Sequence, residues 1–288
     1  MKNEKTTSFN GISEETLAKY AKLKKSLGEM SRVLVAFSGG VDSTFLVKVA
    51  KEVLGDAVLA VIATSASYPK SETDVAVTLA EELKLRYRVI QSREMDNPDF
   101  LSNPPDRCYH CKTGLFSDLK EIAAAEGIPF VLDGSNQDDT GDYRPGLQAC
   151  AELGIKSPLR DAALDKKEIR LLSKELGLPT WNKPSMACLA SRFPYHTHID
   201  ETGLNRIARA EEHLRSLGFH QVRVRHHGQI ARIEVDVEDV PKLTEPLFRG
   251  KIVEYMNNLG YLYVTLDLAG YRTGSMNEPL IQSDKSRR

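Results

Sequence analysis

Val33-Leu34-Val35-Ala36-Phe37-Ser38-Gly39-Gly40-Val41-Asp42-Ser43 is the stretch that decides the fold. Its first five residues form a continuous apolar run, the pattern of a parallel strand buried on both faces. Thr44 to Leu54 then reads as a helix ending at Gly55. Two glycines directly after a buried strand let the backbone turn tightly and approach a ligand with no Cβ in the way. The helix that follows aims its free N–H groups and positive dipole end at whatever lies over the turn. Ser38 and Ser43 add hydroxyls, so the turn is built to hold an anion. It is not a Walker A loop, because the spacing differs and no Lys-Ser/Thr pair closes it. Asp42 would repel a bare phosphate unless a magnesium ion intervenes.

Outward from this turn, the same alternation repeats. Val58 to Ala63, Tyr87 to Ile90 and Phe130 to Leu132 read as strands; Asp74 to Leu83, Leu115 to Glu126 and Lys166 to Leu176 read as helices. Strands alternating with helices predict an α/β fold with a doubly wound parallel sheet. A helical pattern before it, within residues 11–30, predicts a lead-in helix. After about residue 180 the character changes. Gly203 to Leu217 is an amphipathic helix, Gln221 to Arg225 and Ile230 to Val235 alternate like half-exposed strands, Val240 to Leu259 is helical, and Tyr261 to Leu268 is a strand. The expected organisation is a lead-in helix (1–30), a nucleotide-binding domain (31–183), a junction rich in Pro, Ser and His (184–200), and a smaller C-terminal α+β domain (201–280). The polar last eight residues are expected to fray.

Composition narrows the function classes. The 288 residues carry 39 Lys and Arg against 40 Asp and Glu, a formal net charge of −1, which counts against a strongly basic nucleic-acid-binding chain. Met1 to Thr7 is polar and lacks the apolar core of a signal peptide, and no run is long enough to span a membrane. A cytoplasmic, reducing setting is expected. There, four cysteines suggest metal binding or thiol chemistry rather than disulfides.

Three of those cysteines stand out. Cys108-Tyr109-His110-Cys111 falls between the third and fourth strands after Pro104-Pro105, and Cys188 lies in the junction. A Cys-x-x-Cys pair places two sulfurs within reach of one metal centre. Three readings stay open on the residues alone. One is a zinc site completed by His110, His196 or Cys150; one is ordinary, partly buried thiols; one is a three-cysteine iron–sulfur cubane whose open iron carries a labile sulfide. Cys150 reads as a helical packing residue. Arg223 and Arg225 alternate onto one strand face, and Arg192 follows the junction cysteine by four residues. Guanidinium forks suit phosphate and carboxylate. The bland alternative is a solvated strand face. His226 and His227, adjacent on a strand, point to opposite faces and read as surface residues.

Ser38 to Ser43, with the strand before it and Thr44-Phe45-Leu46 after it, resembles the PP-loop signature of the adenine-nucleotide alpha-hydrolase superfamily. The resemblance implies ATP cleavage between the alpha and beta phosphates, with pyrophosphate on the loop and Ser65 beside the adenine. Further blocks narrow it: Asp133-Gly134-Ser135-Asn136, Asp138-Asp139, Asp142-Tyr143-Arg144-Pro145-Gly146, Trp181-Asn182-Lys183-Pro184-Ser185, Ser191-Arg192-Phe193-Pro194-Tyr195, Val222-Arg223-Val224-Arg225, Ala231-Arg232-Ile233-Glu234 and Tyr263 to Leu268. From about residue 12 to 280 the chain is similar to the LarE family, the sulfur-inserting synthases of the lactate racemase nickel-pincer cofactor. That family implies an ATP-dependent sulfurtransferase that adenylates the carboxylates of pyridinium-3,5-biscarboxylic acid mononucleotide. It also implies ATP, Mg2+ and a [4Fe-4S] cluster on Cys108, Cys111 and Cys188. Catalytic roles fall on Cys188, Asp42 and Arg192. ATP and pyrophosphate contacts fall on Ser38, Gly39, Gly40, Asp42, Ser43 and Ser65, and substrate contacts on Arg192, Arg223, Arg225 and Glu234. Glu211 joins Glu234 as an acidic group near the reactive cysteine, with a purely structural carboxylate as the equal alternative for each. Single-cysteine members of the family give up their own sulfur, but they place that donor at the position of Ala187, which favours the cluster route here.

The partners implied are a nucleotide-like small molecule, sulfide or another sulfur donor, other proteins of pincer-cofactor synthesis, and further copies of the chain. Two rival readings remain at this level. A tRNA-thiolating enzyme would use the same adenylation logic but wants a wide basic surface. A nucleotide-binding sensor would release no pyrophosphate.

Overall fold

The computed structural model describes residues 11–141, 145–184, 186–272 and 274–275. The polar start Met1 to Thr7, Asp142 to Arg144, Ser185 and the last eight residues lie outside the described residues. The described residues fall into two compact units. One is drawn from Met1–Ser65, Lys70–Glu94 and Cys108–Met186, the other from Ala66–Pro69, Met95–Arg107 and Ala187–Arg288.

In the first unit, α1 (Glu14–Gly28) leads into β1 (Val33–Ala36), α2 (Val41–Leu54), β2 (Val58–Thr64), α3 (Lys70–Glu82) and β3 (Arg86–Gln91). A short α4 (Pro98–Leu101), which belongs to the second unit, precedes the long α5 (Arg107–Ala125). β4 (Phe130–Leu132), α6 (Pro145–Glu152), α7 (Pro158–Asp161) and α8 (Lys166–Glu175) complete the first unit. The four strands are all parallel in the order β3-β2-β1-β4. Chain order reverses at β1, between β2 and β4, so this is the doubly wound sheet expected, with its switch point where β1 ends in the glycine turn. Both faces of β1 and most of β2 are buried, whereas the edge strand β3 is largely exposed. Val33, Val35, Phe45, Val49, Leu132 and Leu172 pack on one side, and Leu34, Leu59, Val61, Phe116 and Leu119 on the other. That is why β1 and β2 read as unbroken apolar runs.

The second unit contains α9 (Glu201–Ser216), β5 (Val222–His227), β6 (Ile230–Val235), α10 (Val240–Thr244), α11 (Pro246–Asn258) and β7 (Tyr263–Leu266). Its sheet runs β5-β6-β7, with β5 antiparallel and β7 parallel to β6. Ala210 and Leu214 of α9, Val222 and Val224 of β5, Ile233 and Val235 of β6, and Met256 of α11 share one core.

Four expectations need correcting. α5 begins at Arg107, not Leu115, so Cys108 and Cys111 sit on a helix rather than in a loop. Its first two turns carry no apolar stripe for the sequence to reveal. The helix expected over residues 240–259 breaks at Glu245, before Pro246, which cannot continue it. β5 is buried along all but its last residue, where half-exposure was expected. Within it His226 is buried and shares a hydrogen bond of 3.0 Å between Nδ1 and Tyr261 Oη; only His227 is exposed.

Candidate functional site

In the first unit the site begins where β1 stops. Phe37 N–H still donates to the Val61 carbonyl (2.8 Å), so the chain leaves the sheet only at Ser38. Gly39 then takes φ +66°, and a Cβ there would lie 3.0 Å from both Cα and Cβ of Ala76 on α3. Only glycine meets both conditions without strain. Gly40 caps α2 with no side-chain hydrogen bond, and the first helical bond is Thr44 N–H to the Gly40 carbonyl (3.0 Å). The first-turn N–H groups are thus left to whatever occupies the turn. Ser43 Oγ accepts from Ser38 N–H (3.2 Å) and pairs with Ser38 Oγ (3.1 Å), which cinches the turn. Among the described residues Thr44 Oγ1, on the same helical turn, is buried without a hydrogen-bond partner. Glycine backbone, hydroxyls and helix end fit a phosphate group.

β4 closes the other side. A Cβ at Gly134 would stand 3.1 Å from Ser43 N, so Gly134 lets the chain after β4 press against the turn. Asn136, two residues on, donates from Nδ2 to Asp42 Oδ1 (3.3 Å). The other Asp42 oxygen accepts Lys166 Nζ at 2.5 Å, and Lys183 Nζ reaches the Gly39 carbonyl (3.1 Å) and Glu72 (2.7 Å). Ser65, at the end of β2, donates to the buried carboxylate of Glu94, which also accepts from Ser92. So Ser38, Gly39, Gly40, Asp42 and Ser43 form one turn, and Ser65 stands at the end of the neighbouring strand. Lys166, Lys183, Asn136 and Glu94 are site residues that sequence reasoning misses. Lys183 and Asn136 lie inside motif blocks, but nothing local marks Lys166 or Glu94.

Cys108 and Cys111 are three apart on α5, hence on one helical face. Cys108 is exposed, Cys111 half-buried, and neither is disulfide-bonded. Cys150 is buried on α6, as expected; its Sγ lies 3.6 Å from Asp133 Oδ2 and 3.8 Å from Lys112 Nζ. Burial pushes its thiol up to about 11, which makes it a poor nucleophile.

In the second unit, half-buried Cys188 caps the 3-10 turn Leu189–Arg192. Arg192 is completely buried. Its Nε and Nη2 donate to the two oxygens of Glu211 (2.8 and 2.9 Å). Its Nη1 donates to the carbonyls of Ala187 (2.8 Å) and Cys188 (3.0 Å) and to Ser191 Oγ (2.9 Å). Arg192 therefore fixes the backbone that presents Cys188. Glu211 further accepts from Arg215 (2.8 Å) and from Val224 N–H (3.1 Å). Burial pushes its carboxyl up, but the Arg192 charge and hydrogen bonds, with Arg215 and Arg223, more than reverse this and hold it below the ordinary range.

Arg225 forms a two-pronged pair with buried Glu234 (2.9 and 2.6 Å) and donates to the Ser191 carbonyl (3.0 Å) and Ser275 Oγ (3.0 Å). Arg223 lies over the Tyr271 ring, 5.1 Å from its centroid, and donates to the Val222 carbonyl (2.7 Å). Burial, then the neighbouring Arg192 charge, lowers its pKa. The pair is not a solvated strand face: both arginines are 5% exposed. Arg192, Arg225, Glu211 and Glu234 are thus joined through the Cys188–Arg192 turn and β5. The charges of Arg192 and Arg225 are matched there by Glu211 and Glu234.

Cys108 and Cys111 belong to the first unit and Cys188 to the second. Among the described residues no group of three or more His, Cys, Asp or Glu side chains is placed to hold a metal ion. Nor is any helix among the described residues long and apolar enough to cross a membrane.

Comparison with known proteins bears on this geometry. Residues 14–98, which contain the turn and β1 to β3, match the NAD synthase family model. The chain is 44% identical to an uncharacterised protein of Synechocystis sp., over 91% of this chain and 98% of that one. An uncharacterised protein of Methanocaldococcus jannaschii is 30% identical over 89% and 98%. The pyridinium-3,5-bisthiocarboxylic acid mononucleotide synthase of Lactiplantibacillus plantarum is 42% identical over 93% of this chain and 97% of its own length. With both units covered by that likeness, the chain belongs to the pyridinium-3,5-bisthiocarboxylic acid mononucleotide synthase family.

Proposed function

We propose that this protein is an ATP-dependent sulfurtransferase that adenylates the carboxylates of pyridinium-3,5-biscarboxylic acid mononucleotide and converts them to thiocarboxylates. The observation that carries the reading is the uncapped turn Ser38–Ser43 at the sheet's switch point, in a chain whose family membership supplies the substrate class. A carboxylate is a poor electrophile. Transfer of adenylate to one of its oxygens makes AMP the leaving group, while pyrophosphate stays on the turn. Backbone N–H groups at the start of α2 and the hydroxyls of Ser38 and Ser43 stabilise the negative charge that develops on the departing pyrophosphate. Asp42 is the residue to hold Mg2+, which would neutralise phosphate charge. Ser65, oriented by Glu94, is assigned to the adenosine side. The mononucleotide's phosphate and carboxylates are assigned to the guanidinium groups around Arg223 and Arg225, with Arg192 and Glu211 positioning Cys188.

The set Cys108, Cys111 and Cys188 supports sulfide carried on a [4Fe-4S] cluster, with donation of Cys188's own sulfur as the alternative. In this reading the enzyme acts in the cytoplasm as a homo-oligomer, beside other proteins of pincer-cofactor synthesis.

The test is pyrophosphate release from ATP, which should depend on the pyridinium mononucleotide. Release without it, or none with it, sinks the reading. Mass spectrometry of the chain after turnover separates the sulfur sources. A loss of one sulfur at Cys188 means sacrifice. An intact chain that turns brown on anaerobic reconstitution, and is bleached by Cys108→Ala, means the cluster.

A further inference from the structure

Asp42 is the one carboxylate on the phosphate turn, and the structure gives it a cationic partner. Lys166 Nζ lies 2.5 Å from Asp42 Oδ2, across 124 residues of chain. Both side chains are about a quarter exposed, at 28% and 23%, so solvent and ions reach the pair.

The two ends of Lys166 are held differently. Its backbone is fixed by the start of α8. Asp165 and Glu168 form a reciprocal capping box, Glu168 also accepts Thr16 Oγ1 (2.9 Å) and Lys19 Nζ (2.9 Å) from α1, and Lys166 N–H donates to Asp138 (3.0 Å). The ammonium, by contrast, is held by the Asp42 oxygen at its tip. Four rotatable methylene groups separate a rigid base from a head on the ligand turn, a lever able to reposition the charge without moving the helix.

Resting on the phosphate-turn reading above, we infer that Lys166 is an exchangeable counter-ion. It neutralises Asp42 while the turn holds no nucleotide, yields the carboxylate to the incoming divalent cation, and transfers its own charge to the phosphate. The charge balance requires a device of this kind. An uncompensated Asp42 at the mouth of the turn repels the anion the turn is built to hold, while a permanently paired Asp42 denies the metal its ligand. Asn136 Nδ2, neutral and 3.3 Å from Oδ1, orients the carboxylate without competing for the cation. Lys183 has a separate role, because its bonds to the Gly39 carbonyl and Glu72 hold the turn's shape.

Isothermal titration of inorganic pyrophosphate into the full chain, over a series of Mg2+ concentrations, tests this without any turnover. Lys166→Met should weaken pyrophosphate binding about tenfold at saturating Mg2+, the effect of losing one charge-assisted hydrogen bond. The same substitution should move the Mg2+ midpoint to lower concentration, because Asp42 has lost its competitor. Lys166→Arg should keep most of the affinity. A purely structural ion pair would instead lower the thermal midpoint and leave both binding parameters alone. Unchanged affinity and midpoint in Lys166→Met, with wild-type binding intact, overturn the exchange and spare the phosphate turn. Absence of pyrophosphate binding in the wild type overturns both. Should Lys166→Met fold poorly, Lys166→Gln carries the same two-way expectation and the same refutation.

Discussion

Replacing Glu211 tests how the second unit presents its cysteine. The carboxylate and Arg192 are both completely buried, and Glu211 accepts four hydrogen bonds, two from Arg192 and one each from Arg215 and Val224 N–H. Glu211→Gln keeps the volume but turns an amide NH2 toward guanidinium donors and leaves a buried cation without its counter-charge. Breaking one side of a buried pair costs about 3–5 kcal/mol. For a unit of this size the lower end corresponds to a fall in melting temperature of roughly 10–20 °C. Calorimetry should show that fall, and hydrogen exchange should show faster exchange along β5, whose Val224 amide must share the one remaining oxygen with Arg192. The double variant Arg192→Met with Glu211→Leu removes both charges. It should be more stable than Glu211→Ala alone, because the fully buried Arg192 charge goes with its partner and only Arg215 and Arg223 lose the Glu211 charge. A Glu211→Gln protein within about 1 kcal/mol of wild type would refute the reasoning, as would a double variant whose losses simply add. The pair also has a pH signature. Because the folded Glu211 pKa is depressed, its contribution is present above the unfolded value of about 4.3 and is lost as pH falls through the lower folded value. Glu211→Gln should remove that part of the acid sensitivity.

Two further outcomes are expected. Gly39→Ala should cost about 1–3 kcal/mol from backbone strain and abolish pyrophosphate binding by calorimetry, since the new Cβ meets Ala76. Gly55→Ala, also at positive φ (+60°) but with nothing within 4 Å of its Cβ, should leave binding unchanged. His226 is a basic group whose pKa is lowered, first by burial, with Asp200 opposing and Arg206 and His227 assisting. The stability it contributes is therefore present above its unfolded pKa of about 6.5 and declines as pH falls below it. Thermal midpoints measured from pH 8 to pH 5 should fall less steeply in His226→Gln than in wild type.

β1 and β2 were legible because strands covered on both faces leave long apolar runs, and the glycine pair after β1 was legible as a tight strand-to-helix turn. The set of residues that meet at the turn was half legible. Ser38 to Ser43 are neighbours in sequence and carry their meaning locally, whereas Lys166 meets Asp42 only after the sheet has folded. β5 misled for a related reason. Arg223 and Arg225 give it the alternation of a half-wet strand, yet the groups that bury them, Glu211, Glu234 and Tyr271, are supplied by other elements. The start of α5 was hidden because Cys108 to Gly114 has no apolar face. Tertiary placement, not propensity, decides that turn.

The division into units has a consequence for synthesis. Residues 95–107 belong to the second unit, and there Leu101 and Asn103 supply carbonyl acceptors for the N–H groups of Ile199 and His196 (both 2.9 Å). Asn103 Nδ2 in turn donates to the carbonyls of Phe193 and Pro194. A ribosome releasing the chain from its N-terminus exposes Leu101 and Asn103 almost a hundred residues before those partners exist. The segment must wait while the parallel sheet assembles on either side of it. A fragment made from residue 187 onward would lack it, leaving the N–H groups of His196 and Ile199 without their acceptors. The segment that follows the Cys188 turn can therefore be tied down only after the chain has been made past Ile199.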